Sequence, residues 1–383
     1  MRVRVWTRAG WPLVDLVVAA ALMTGCGSDN GEPPPTPPTP PTASRAFVHV
    51  LSPPATSQWW SAVDRYSFEV TAPAGTLRLL ASQERPLARR IAADPSGRFL
   101  FIASTGGQDD LRAYAFNPAS GEWTTVSNAS LSNRDDVSDP AYPVALGANE
   151  SRVLLSRGYE FGSDAFAVDR DTGAFSLLPW GFESWSDYAW FVLPPASPFV
   201  YADYGGQGIV VLSSQQGQLT FNSAVQTAGD HGRAFDAAYT AGCLVATFRT
   251  GVTAAGAVSG GIVSYVADAA TGRLAQAGTV DGLVAWHVAG AARRVAVTTS
   301  TQLLTFELNG SCRMTSGAVA DIRGPTQDDY YAGSLAFHPS GDFLYVDQPD
   351  GLHNYMLLGD HALRPLETIA GVHGRVVAAP PPS

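Results

Sequence analysis

The sequence predicts an all-β protein: a seven-bladed β-propeller, with its first blade closed by the C-terminal strand. Three observations predict it. First, a turn followed by a short apolar strand, Asp94-Pro95-Ser96-Gly97-Arg98-Phe99-Leu100-Phe101-Ile102, has a near copy at His338-Pro339-Ser340-Gly341-Asp342-Phe343-Leu344-Tyr345-Val346. Pro sets φ inside each turn, Gly tolerates the positive φ that ends it, and the β-branched and aromatic residues that follow suit a buried pleated surface. Second, comparable strands recur at a mean spacing of roughly 50 residues, as four-stranded blades require. They are Phe47–Val50, Leu100–Ala103, Val153–Ser156, Phe199–Ala202, Leu244–Thr247, Val295–Thr298 and Leu344–Asp347. Third, no useful stretch outside the N-terminal leader carries a helical period, so the array is β throughout.

Taken in order, the chain begins with a leader. Arg2, Arg4 and Arg8 precede a mostly apolar Pro12–Met23 interrupted by Asp15, and Leu22-Met23-Thr24-Gly25-Cys26 follows. Small residues before a Cys are what a signal peptidase accommodates, and the run is too short to span a membrane. The pattern resembles the bacterial lipoprotein lipobox. That resemblance implies a signal peptide over 1–25, lipidation of Cys26 and, because Gly27 is not Asp, the outer membrane. Residues 26–45 include GSDNGEPPPTPPTPPTASR, a Pro-rich tether that adopts extended polyproline II rather than a core. The propeller is expected over 46–379. Its membrane contact comes through the N-terminal lipid only, and it faces the periplasm or cell exterior.

Within each blade the second strand is followed by a third with alternating apolar positions, such as Tyr114/Phe116 or Phe306/Leu308. A polar turn comes next, as in 117–121, 169–173, 213–217 and 268–272, and a weaker fourth strand follows. The first unit lacks an inner strand before Phe47, while Arg375–Ala379 is left over after the seventh. That leftover strand is assigned to blade 1, which removes two exposed sheet edges. Residues 380–383 are read as a disordered tail.

Composition narrows the chemistry. Lys is absent and all 24 basic residues are Arg, so Schiff-base chemistry is excluded. Net charge is −10, and loss of the leader's three Arg and one Asp takes it to −12. Such an acidic domain is a poor nucleic-acid binder. After Cys26 only Cys243 and Cys312 remain, with no CxxC and no Cys/His cluster, so neither a metal nor a cofactor is expected. Asp169-Arg170-Asp171-Thr172-Gly173 lacks the later acidic ligands of a calcium loop and reads as a turn. An oxidising compartment permits a Cys243–Cys312 disulfide between neighbouring blades, although the radial offset of their two turns opposes it.

The Asp-Pro-Ser-Gly-Arg-Phe-Leu-Phe-Ile and His-Pro-Ser-Gly-Asp-Phe-Leu-Tyr-Val copies, with the Asp-x-x-Thr-Gly turns, resemble the lactonase family of seven-bladed propellers. That family includes 6-phosphogluconolactonase-like enzymes and relatives acting on muconate-type lactones. The resemblance implies a site on the face where outer strands return to inner ones. Members commonly carry a Gly-Pro-Arg-His type segment there. Here Leu87-Ala88-Arg89-Arg90-Ile91 keeps the Arg but places Arg90 where His belongs, and Ala332-Gly333-Ser334-Leu335 has neither.

Two His-Gly-Arg runs stand on the same face. A lactonase needs a base for water and a cation for the oxyanion. His231 or Asp230 is the candidate base, Arg233, Arg375 or Arg90 the candidate cation, and His373 belongs to the second run. Trp59, Trp60, Trp185, Tyr188, Trp286 and Tyr331 are candidate ligand-binding aromatics, although the 180–191 cluster reads first as blade-to-blade core packing. The missing Arg-His elements favour a lipid-anchored scaffold that binds a small lactone, a sugar-like ligand or an envelope protein, working as a monomer. The alternative is a hydrolase of an exported or environmental lactone, using the channel-facing His and Arg loops.

Overall fold

A computed structural model describes residues 45–52, 63–85, 88–104, 111–129, 145–156, 163–179, 188–203, 208–215, 218–225, 234–253, 256–323, 334–359 and 362–382. The expected leader, Cys26 with its expected lipidation, and the Pro-rich tether as far as Ser44 lie outside these, and Arg45, assigned to the tether from sequence, begins a strand.

Seven four-stranded antiparallel sheets form, and six of them use four consecutive strands from the innermost outward. The exception is blade 1. There Arg375–Ala379 lies inside Arg45–Ser52, with Phe47 opposite Ala379 and Leu51 opposite Arg375. The leftover C-terminal strand is therefore the missing inner strand, as the repeat count predicts. Just beyond it, the Pro380 carbonyl lies where a side chain at Gly97 would stand, so the first copy of the turn motif is covered by the segment that closes the ring.

Packing repeats with the blades. Among the described residues seven apolar clusters form, one at each interface between neighbouring blades. Val48, Phe68 and Leu77 of blade 1 meet Phe343, Tyr345 and Leu352 of blade 7, for example. Apolar faces of adjacent sheets thus cover each other around the whole ring.

The turns between third and fourth strands explain the Asp-x-x-Thr-Gly pattern. The Asp268 carboxylate accepts the Ala270 and Thr271 backbone N–H groups and the Thr271 hydroxyl. Asp169 does the same for Asp171 and Thr172. These bonds hold both carboxylates below the usual range, and they confirm a turn at 169–173. Gly272 ends its turn at φ +70°, and a Cβ there would stand 2.5 Å from the Phe199 ring of the preceding blade. Only Gly meets both demands.

Cys243 and Cys312 are disulfide-bonded, with Cα atoms 5.6 Å apart. They sit in the interface between blades 5 and 6. The expected radial offset does not keep them apart, because the third–fourth turn of blade 6 reaches the start of the second strand of blade 5. The bond is 69 residues across in sequence. A closed loop of that size removes roughly 4 kcal/mol of unfolded-chain entropy in the chain-entropy picture.

Candidate functional site

A cavity of about 230 Å³ lies in the central channel. Every blade contributes to its wall from the start of its innermost strand. Arg375 comes from blade 1, Arg90 from blade 2, Leu146 from blade 3, Trp190 from blade 4, Asp236 from blade 5, His287 from blade 6 and Ser334 from blade 7.

Local distortions aim two of these side chains. The ladder between first and second strands breaks register in only two blades among the described residues. One break lies between Ala88 and Arg90 in blade 2, the other between Ala234 and Asp236 in blade 5. A bulge turns a side chain away from regular alternation and is common beside functional sites. Here it adds Arg89 before Arg90 and Phe235 before Asp236. Arg375 is placed differently. Gly374, at φ +127°, turns the chain, and its N–H donates to Asp347 (2.8 Å) while the His373 N–H donates to Ser52 (3.3 Å).

The centre of the site is a carboxylate–imidazole pair. Asp236 Oδ1 accepts the Ala237 N–H (2.9 Å), and Oδ2 accepts the Val288 N–H (3.2 Å). The same Oδ2 lies 3.1 Å from His287 Nδ1. An ionised carboxylate only accepts, so Nδ1 carries the proton and Nε2 keeps its lone pair. His287 is 4% exposed, and its Nε2 is buried without a protein partner. Burial lowers its pKa, Asp236 raises it, and the Arg375 and Arg90 charges lower it again; the net direction is down. The imidazole is neutral at ordinary pH and able to take a proton. Ser334 Oγ accepts the Val376 N–H (3.1 Å), which leaves its own O–H to donate.

Arg90 and Arg375, both read as candidate cations from sequence, meet at this cavity. His373 is half-buried and does not line it. Asp230, His231 and Arg233 lie outside the described residues, as do Trp59, Trp60, Trp185 and Tyr331. Tyr188 is fully buried against Phe191, in the core between blades 3 and 4. Trp286 is buried edge-on to Phe235, which itself lines the cavity. His287 and its partner Asp236 were not singled out as catalytic by sequence reasoning. Their signal was the repeat itself: both stand about eight residues before the second strand of their blade, in register with Arg90 and Ser334 to within about two residues.

No family model matches this sequence, and no curated protein does. Solved structures do share its fold. A putative 6-phosphogluconolactonase from Bacteroides fragilis superposes with TM-score 0.63 at 13% identity, covering 87% of this chain and 97% of its own. One from Bacteroides uniformis gives 0.65 at 14%, covering 88% and 99%. The periplasmic gluconolactonase of Pseudomonas aeruginosa gives 0.63 at 15%, also covering 88% and 99%. The chain has the seven-bladed propeller architecture of these lactonase-like proteins.

Proposed function

We propose that this chain hydrolyses a small lactone in the central channel, with His287 as general base. The observation that carries the reading is His287 itself: one ring nitrogen held by Asp236, the other bare, buried and in the wall of a cavity. A scaffold has no use for a neutral, oriented, desolvated imidazole facing two guanidinium groups. This feature moves the preference from the scaffold favoured by the sequence to the hydrolase alternative.

The chemistry follows from the geometry. His287 Nε2 takes a proton from water, and the resulting hydroxide attacks the lactone carbonyl carbon. Negative charge grows on the carbonyl oxygen, where Arg90 or Arg375 stabilises it. Collapse breaks the ring C–O bond, and the imidazolium returns its proton to the departing alkoxide. Asp236 acts through His287 by fixing its tautomer. The named activities of the propellers from B. fragilis and P. aeruginosa support the substrate class.

The lipobox-like leader supports an exported, lipid-anchored protein, and the Cys243–Cys312 bond supports an oxidising compartment. An unphosphorylated lactone from outside the cytoplasm is therefore the substrate we favour. The test is hydrolysis of unphosphorylated aldonolactones and aromatic lactones by the full chain, with His287→Ala as control. Turnover above the spontaneous rate that disappears in the variant supports the reading. Absence of turnover across the panel, or turnover unchanged in His287→Ala, rules it out.

A further inference from the structure

Hydrolysis converts a neutral lactone and one water into a hydroxy acid, which ionises to a carboxylate and one proton. We infer that this cavity couples the two products: the carboxylate is held while His287 Nε2 is protonated and released when that proton leaves. The enzyme is then inhibited by its own product more strongly as pH falls. This inference rests on the hydrolase reading above.

The argument starts from the charges that face His287. They are Asp236 on the first strand of blade 5, Arg90 on that of blade 2 and Arg375 on that of blade 1. No other charged side chain among the described residues lines the cavity. Ser334, from blade 7, and Phe235, edge-on to the imidazole with ring centroids 5.4 Å apart, add no charge. In the resting site, burial and the two guanidinium groups oppose the imidazolium, and Asp236 favours it.

A product carboxylate changes that balance twice. It brings a negative charge that offsets the guanidinium groups, and it supplies an acceptor for the Nε2–H that no protein atom provides. Each guanidinium has five donors, so it can hold a ligand oxygen while keeping its protein partners. A neutral lactone offers no charge and gains much less. Coupling is reciprocal: a ligand that strengthens proton binding is itself bound more tightly when the proton is present. The affinity ratio of product to substrate therefore rises as pH falls.

The test uses D-gluconate, a hydroxy acid that stays ionised above about pH 5. Calorimetry with the full chain, in buffers of different ionisation enthalpy, counts the protons taken up on binding. Between about pH 8 and pH 5, wild-type Kd is expected to tighten by up to about tenfold per pH unit, the limit for one coupled proton. His287→Gln is expected to bind gluconate with a pH-independent Kd. Arg375→Gln is expected to weaken binding at every pH.

A flat wild-type Kd with no proton uptake overturns the inference, as does a pH slope that survives in His287→Gln. So does the absence of any gluconate binding. The two readings fail separately. Lactone turnover with a flat gluconate Kd removes the coupling and leaves the hydrolase, whereas proton-coupled binding without turnover removes the hydrolase and keeps the anion site. Should His287→Gln fail to fold, the wild-type proton count decides alone.

Discussion

Two buried histidines, His49 and His287, sit at opposite ends of what burial can do. His49 lies between blades 1 and 2, edge-on to Phe116 and Trp123. Its Nδ1 is 3.0 Å from Ser67 Oγ, which already accepts the Trp123 indole N–H (2.6 Å). A hydroxyl, not a carboxylate, thus faces its Nδ1, in contrast to His287. Burial drives its pKa down to about 3, and it does not line the channel cavity. His287 is nearly as buried but is oriented by a carboxylate and opens on the channel. Burial alone makes an imidazole neutral. A carboxylate on one nitrogen, none of the protein's groups on the other and a place in the cavity wall are what the proposed base role adds.

The sharpest test of this contrast is paired substitution. His287→Ala is expected to lower lactone turnover by about 10²–10⁴-fold, the usual range for a lost general base, with a modest effect on melting. His49→Ala is expected to do the opposite: turnover per folded molecule is kept, and about 2–4 kcal/mol of stability is lost through the cavity and the broken Ser67 contact. Initial rates and urea unfolding on both variants separate the two roles.

Asp236→Asn comes next. An amide has one acceptor oxygen where the carboxylate uses two, one for the Ala237 N–H and one for the Val288 N–H and His287, so it no longer forces the proton onto His287 Nδ1. Turnover is expected to fall by about 10²-fold or more with KM little changed, and the acid limb of the rate profile should shift. Unchanged kinetics would mean that Asp236 is structural.

Acid sharpens the comparison in a third way. His49 and His338, lowered by burial to about 3 and about 4, stay neutral in the folded chain. The unfolded chain binds their protons near the ordinary value of about 6.5, so it holds more protons than the native state below that pH. Stability is complete above about pH 6.5 and declines as pH falls towards 4 and then 3. Thermal melts along a pH series check this. A Tm independent of pH across that window would contradict the neutral, buried assignment.

The smallest expected effect belongs to His338. In the second turn motif its Nδ1 accepts the Ser340 N–H (3.1 Å), the role Asp94 Oδ1 fills for Ser96 in the first. Its Nε2 is buried without a protein partner. Asn149 serves a similar turn in blade 3 through Oδ1. His338→Asn is therefore expected to leave neutral-pH stability within about 1 kcal/mol and to raise Tm by a few degrees near pH 4, read by calorimetry.

These residues also show where sequence reading succeeds and stops. The turn motifs, the seven second strands and the closing strand were legible because each is a local pattern with its own period. Arg90 and Arg375 were legible as charges at strand entries. Asp236 and His287 were not, because their meaning is pairwise. They lie 51 residues apart, on different blades, and meet only through a bulge that exists once the sheet is built. The disulfide was weighed against a radial distance that sequence spacing does not set.

The closing strand has a consequence for how the protein comes into being. Arg375 reaches the cavity only when the strand carrying it pairs with Arg45–Ser52, more than three hundred residues upstream. Long-range pairings of this kind are slow and late in folding. During synthesis or export, therefore, no partial chain assembles the complete channel wall, however many blades have already formed. On the proposed hydrolase reading, competence arrives in one step with ring closure, and an unfinished or trimmed molecule is expected to be silent rather than partly active.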